Sequence, residues 1–311
     1  AQQFNLTSYR AMTMVIISLE SSAGMWINAF IVCVLCMGLF RNKTLNSNEK
    51  FLLFLGCSRF SYLFIAWVYF FLTIIYPKYL SIHPILQLLV SLQYLFNSSD
   101  LFVSACLYVF YCVKIANFRN SCFIYLKVKI DRTVPWLLLG SVLFSLVISI
   151  LTYDVIGKAL CKDLNSTCKG CIWKANIRIE EHFFPVFIVA ALLSVTSFMT
   201  VIISALLLLF SLWRHKRHMQ TNSMNDLSMD AHIRAMKSIL SFFILCGMNF
   251  VFLILILIYS MMNRSHAFIP IYVFLYAFPG FHSLILIFSN PKFEKTMLRI
   301  LQCVKCKVCR R

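Results

Sequence analysis

The chain has 311 residues, of which 60% are hydrophobic and 13% charged, and its mean hydropathy is +0.81. A water-soluble domain is near half apolar and a quarter charged, so too few polar residues remain here to cover a water-facing surface, and a soluble globular protein is excluded. The formal net charge of +18 lies mostly in short segments between apolar runs, where membrane topology accounts for it and nucleic-acid binding does not.

A membrane-spanning helix needs about 20 mostly apolar residues. Seven runs qualify, at about 11–40, 50–76, 84–112, 133–153, 183–212, 235–262 and 267–289. None alternates in polarity as a barrel strand does, and no internal repeat of the transporter kind is visible. The expected fold is an all-α membrane protein: one domain over 1–311, a seven-transmembrane helix bundle with a short tail at 290–311. The first run is too long for a signal h-region and lacks a basic start. The chain opens on Ala1 rather than Met, so a few native residues are expected ahead of it.

Seven spans put the termini on opposite sides. Segments 41–50, 113–132, 213–237 and 290–311 carry 20 of the 29 Lys and Arg residues, and the alternate segments carry eight, with Arg59 inside a span. By the positive-inside rule the N-terminus is extracellular and the C-terminus cytosolic, in a multi-pass protein of the plasma membrane. Two N-x-[ST] sequons, at Asn5 and Asn165, fall in outer segments and are the expected glycosylation sites. Asn42 would be cytosolic and Asn97 intramembrane, so both should stay unmodified.

Six of the 13 cysteines lie in spans, where a thiol acts as a small apolar group. Cys161, Cys168 and Cys171 share the second outer segment, an oxidising setting in which one disulfide is expected with its connectivity open. Cys303, Cys306 and Cys309 have CxxC spacing in the basic tail, which fits palmitoylation or zinc. No His residues pair with carboxylates or cysteines at metal-ligand spacing, and no glycine-rich phosphate loop occurs. No metal, cofactor or enzyme activity is expected.

An ionisable group inside a span is a functional hypothesis, because an unpaired charge there costs at least about 2.5–3.5 kcal/mol. Arg59 lies roughly 14 Å and Asp100 roughly 18 Å from the inner ends of their helices at 1.5 Å rise per residue. These depths permit an ion pair, serving as a structural or switching lock. The alternatives are a protonated or solvated Asp100, or a counter-ion for an amine ligand. In YAFPGFHSLILIFSN (276–290), Pro279 is expected to kink the last span beside His282 and Ser283. Gln93, Tyr94 and Asn97, at i, i+1 and i+4, are expected on one helix face. Phe70, Phe250 and Tyr272 at comparable depth complete an aromatic pocket with few polar anchors, suited to small amphipathic molecules. Glu20 and His266 sit near its rim.

Rhodopsin-like signatures are absent. Another set is present in order: YCVKIANFRNSCFIYLKVKI (111–130), SLWRHKRHMQ (211–220), AHIRAMKSILSFF (231–243) and FPGFHSLILIFSNPKFEK (278–295), with Gly24-x-x-x-Asn28 and Ser58-Arg59. Together these resemble the type 2 (bitter) taste receptors over essentially the whole chain. The nearest neighbours are the vomeronasal pheromone-type receptors, which form the alternative; a seven-helix transporter is the remote one. The resemblance implies a G-protein-coupled receptor in sensory transduction, whose partners are a bitter small-molecule agonist, membrane lipids and a gustducin-like or inhibitory heterotrimeric G protein (Gα with βγ).

It also implies that Arg59 is a hub bonded towards Asn28 and Ser283, that His282 belongs to a latch between helices 7, 2 and 3, and that Asn97 lies near the ligand. Tyr111, Lys114, His215 and Lys237 would flank the groove for the C-terminal helix of Gα, a helix-in-groove contact. The chain departs from the family at Gln93 and Phe102, where tryptophan is frequent, at Ser197, where proline is usual, and at the intramembrane acid Asp100.

Overall fold

A computed structural model describes the backbone of residues 2–41, 44–76, 84–115, 121–165, 184–221, 240–241, 243–252, 254–255 and 268–308. Among these residues every regular element is helical. In chain order they are α1 (Gln2–Phe40), α2 (Ser47–Ile75), α3 (Ile85–Ile115), α4 (Ser121–Asn165), α5 (Phe184–Thr221), α6 (Phe243–Phe252), α7 (Phe268–Ser289) and α8 (Pro291–Val308). Four contain stretches long and apolar enough to cross a bilayer: Met12–Phe40, Ser47–Ile75, Ile85–Lys114 and Phe123–Lys158. The apolar stretches described in α5, α6 and α7 are shorter.

Several helices run past the apolar segments that predict them. The span expected at 133–153 is the middle of the 45-residue α4. That helix is about 68 Å long at 1.5 Å per residue and must project beyond a hydrocarbon core of about 30 Å. Hydropathy marks the part of a helix that meets lipid, whereas backbone hydrogen bonding carries the helix on into polar sequence. The tail is ordered by the same logic. Asn290 accepts the Lys292 N–H at 3.0 Å as an N-cap, and Pro291 opens α8 where its missing N–H costs nothing. The pair Val273–Ser289 and Pro291–Ile300 bends by 99°.

The largest core joins α1, α2, α3, α4, α7 and α8 at the α8 end of the bundle. Ile31, Leu35, Phe51, Leu55, Val103, Leu107, Val134, Ile287 and Phe293 are buried there. Large apolar side chains such as Trp26, Phe40, Trp136, Phe144 and Ile150 are instead exposed on the outer faces. A protein solvated by water buries such groups, while one solvated by lipid leaves them outside. This is a membrane protein.

Glycine sets the contact of α1 with α7. A Cβ built on Gly280 would lie 3.3 Å from the Gly24 Cα, and one on Gly24 would lie 2.6 Å from Leu63 Cδ1. Small residues let the two backbones approach closely, a packing that membrane helices favour.

Candidate functional site

The centre of the bundle is built around one cation. Arg59 of α2 is 1% exposed. Its Nε donates to Asp100 Oδ1 of α3 at 2.6 Å, Nη1 to Ser283 Oγ of α7 at 3.0 Å, and Nη2 to Ser104 Oγ of α3 at 3.3 Å. Nη2 also lies 2.5 Å from His282 Nδ1 of α7. A guanidinium stays protonated and only donates, so His282 accepts here through Nδ1, in the tautomer that carries its proton on Nε2. Ser283 Oγ in turn donates to Asn28 Oδ1 of α1 at 2.7 Å, and Asn28 Nδ2 donates to the Gly24 carbonyl at 2.8 Å.

One side chain therefore ties α1, α2, α3 and α7 together. The arginine fork suits this, because its fixed geometry aims several donors at separate helices, which an ammonium does not do. The ion pair also explains how a full charge persists at this depth: Asp100 supplies the opposite charge and three neutral groups take three of the four remaining N–H donors. Ser104 is a member that sequence reading missed, since a serine in a span carries no signal of its own. Its position one turn from Asp100 was the available clue. Pro279 is buried and α7 continues through it.

Of the residues expected around a ligand, Gln93 and Phe70 meet at Tyr276, and Phe250 packs apart from them on α5. Gln93 and Asn97, at i and i+4, lie one turn apart on a common side of α3, while Tyr94 points about 100° away from Gln93. Gln93 turns towards α7, where its Nε2 donates to the Tyr276 hydroxyl at 3.1 Å, while Tyr94 and Asn97 are exposed. Phe70 meets the Tyr276 ring edge-on at 5.3 Å. Phe250 stacks instead on Phe198 of α5 at 4.1 Å and 6°. Tyr276 is thus a junction that the sequence did not mark among 13 tyrosines. It is buried and also stacks on Tyr62 at 5.9 Å. A shallow groove of about 320 Å³ lies elsewhere, between α3 and α4, lined by Gln87, Ile150, Tyr153, Asp154, Gly157 and Lys158.

At the α8 end, the Tyr111 hydroxyl donates to Asn48 Oδ1 at 2.7 Å, and Lys114 pairs with Asp131 of α4 at 2.5 Å. Lys292 of α8 pairs with Glu49, whose other oxygen accepts the Asn46 N–H at 3.1 Å and closes the first turn of α2. The side chains of Asn5, Asn165, Cys161, His215 and Tyr272, and all of Cys168, Cys171, Lys237 and His266, lie outside the described residues. Among the described residues no three His, Cys, Asp or Glu side chains gather within reach of one metal ion.

Comparison with known proteins gives this arrangement a context. Residues 6–305 match the family described as Taste receptor protein (TAS2R). The chain is similar to taste receptor type 2 member 2 of Homo sapiens, at 32% identity over 299 residues covering 94% of this chain and 96% of the relative. It is similar also to member 114 of Mus musculus, at 32% identity over 294 residues and 92% of each chain. Member 41 of Pan paniscus is 33% identical over 294 residues, 94% of this chain and 95% of that one. A match of this length spans nearly the whole of both chains: the chain belongs to the taste receptor type 2 family, a family of receptors and not of enzymes.

Proposed function

We propose that this chain is a plasma-membrane receptor for bitter-tasting small molecules. Its N-terminus is extracellular and its α8 end cytosolic. The agonist binds in the outer half of the bundle near Asn97, Gln93, Tyr94 and Phe70, with Phe250 and Tyr272 on the facing helices. The observation that carries this reading is family membership across residues 6–305. The charge distribution along the chain supports the orientation.

A ligand shifts a conformational equilibrium only by its differential affinity for the two states. The element it biases is the Arg59 centre, which holds four helices through individually breakable hydrogen bonds. Rearrangement there frees α7 relative to α2 and α3 and opens a groove at the α8 end. A gustducin-like or inhibitory Gα, with its βγ partner, inserts its C-terminal helix beside Tyr111, Lys114, His215 and Lys237. Lys114 must first leave Asp131, an exposed pair whose worth is small.

The test is a calcium-release screen of bitter compounds in cells co-expressing the full chain and a gustducin-based chimeric Gα. A response that requires the Gα is expected, and Asn97→Ala should weaken its potency about tenfold while surface level is kept, the loss of a hydrogen bond to a ligand being on the order of 1–1.5 kcal/mol. A substrate flux or ionic current without G protein would overturn the receptor reading.

A further inference from the structure

The hydrogen bond from Gln93 to Tyr276 joins the expected ligand region to a helix that also holds the Arg59 centre. Tyr276 is buried, accepts from Gln93 Nε2 of α3 at 3.1 Å, and packs on two rings of α2, Tyr62 at 5.9 Å and Phe70 at 5.3 Å. Its fixation is therefore of two kinds: aromatic contacts with α2 place the ring, and a polar contact with α3 engages the hydroxyl.

Positions 276, 280 and 283 are at i, i+4 and i+7, on one face of α7. Tyr276 and Ser283 stand about 10 Å apart along the helix axis at 1.5 Å per residue. Both bind the same pair of helices. Tyr276 holds α2 and α3 above Gly280, while His282 and Ser283 hold Arg59, itself fastened to Asp100 and Ser104 of α3, below it. Between the two attachments lies Pro279. It has no N–H to give the Leu275 carbonyl, so this turn of α7 is the one least fixed by its own backbone. A change at Tyr276 thus reaches the Arg59 centre through a short segment with a weakened backbone ladder.

We infer that Gln93 and Tyr276 form a latch that the ligand competes for, and that agonists of this receptor carry a hydrogen-bond acceptor which captures the Gln93 amide N–H. The inference rests on the placing of the ligand near Gln93. While the amide donates to Tyr276, α7 is held to α3 at two depths. A carbonyl, lactone or ether oxygen bound in the outer half turns the amide so that neither of its two N–H groups reaches the hydroxyl, and the attachment of Tyr276 to Gln93 of α3 is lost. Tyr276 is then a positioning residue, acting on the ligand through Gln93. The acceptor requirement is a specificity rule that follows from the amide's donor role.

The experiment compares wild type, Tyr276→Phe, Gln93→Leu and the double variant as full-length receptors with the chimeric Gα, at surface levels matched by antibody to an N-terminal tag. Tyr276→Phe keeps both ring contacts and deletes only the hydroxyl. Ligand-free signalling should rise about fivefold in each single variant, the weight of one hydrogen bond in a two-state equilibrium. The double variant should rise no further than either single, because both remove the same bond.

A lactone or ketone agonist found in the screen should gain potency about fivefold on Tyr276→Phe, where it no longer competes with the hydroxyl, and lose it on Gln93→Leu. Its deoxygenated analogue should respond equally to both variants. Ligand-free output and potency equal to wild type in Tyr276→Phe would overturn the latch. So would additive effects in the double variant. Should Tyr276→Phe fail to reach the surface, Gln93→Leu, which leaves α7 untouched, is read by the same criteria. The ligand-free readout needs no agonist, so a receptor silent to every compound counts against the placing of the ligand and not against the latch.

Discussion

Arg59 and Asp100 illustrate how one substitution acts at the centre of a membrane bundle. The guanidinium has five N–H donors, and it bonds to one carboxylate, two hydroxyls and an imidazole. Removing the carboxylate charge leaves the hydrogen-bonding shape nearly intact but the cation uncompensated. Breaking one side of a buried pair costs about 3–5 kcal/mol, so Asp100→Asn is expected to lose about 3 kcal/mol of stability. Lower surface level and a lower thermal midpoint in detergent should accompany a rise in basal signalling. Wild-type values for all three would remove the pair from any role. Asp100→Glu tests the same geometry from the other side, since an added methylene must be fitted beside a fully buried Arg59.

Among the elements, α7 carries the most constraints per turn. Within eight residues it holds Tyr276, Pro279, Gly280, His282 and Ser283, each facing a different demand: an aromatic seat, a missing donor, a close backbone approach and two acceptors for one cation. Gly280 is the least tolerant of added volume, because a Cβ there would meet the Gly24 backbone at 3.3 Å, and backbone cannot rotate away. Gly280→Val should push α1 from α7 at a cost of about 1–3 kcal/mol, the usual penalty of overpacking. Stability in detergent and surface expression measure it. The control is Gly140→Val on α4, where nothing lies within 4 Å of a built Cβ, and which should keep the wild-type fold. At its other end α7 hands over to α8, which is anchored by the buried Phe293 and by the ion pair from Lys292 to Glu49.

For the molecule as a whole the question is how the bundle sits in the bilayer. The exposed outer faces are apolar over much of their height, with Trp26, Phe64, Trp136, Phe144 and Phe210 among the side chains left outside. Cations cluster beyond the ends of the apolar runs that the proposed orientation makes cytosolic, where juxtamembrane cations add about 1 kcal/mol each of attraction to anionic inner-leaflet lipid. An antibody to an N-terminal tag should therefore stain intact cells, while one to a C-terminal tag should need permeabilisation. Staining of the C-terminal tag on intact cells would invert the orientation and place the G-protein groove on the wrong side.

Composition and hydropathy alone determined that the chain is a helical membrane protein, because too few polar residues exist to solvate it in any other way. Arg59, Asp100 and the His282–Ser283 pair were legible one by one, since a charge or imidazole inside an apolar run has no cheap explanation. The Asp100 partner was legible from matching depths and Ser283 from the resemblance, but Ser104 was not, because which serine faces the cation is decided only by helix packing. Helix ends were misjudged at α4 and α8 because backbone hydrogen bonding continues through polar sequence that hydropathy counts as loop. The grouping of Gln93 with Tyr94 failed on helical geometry, and Tyr276 escaped notice because a tyrosine in an apolar run resembles any other. Its seat between two rings of α2 and an amide of α3 exists only in the folded bundle, where helix packing brings those groups together.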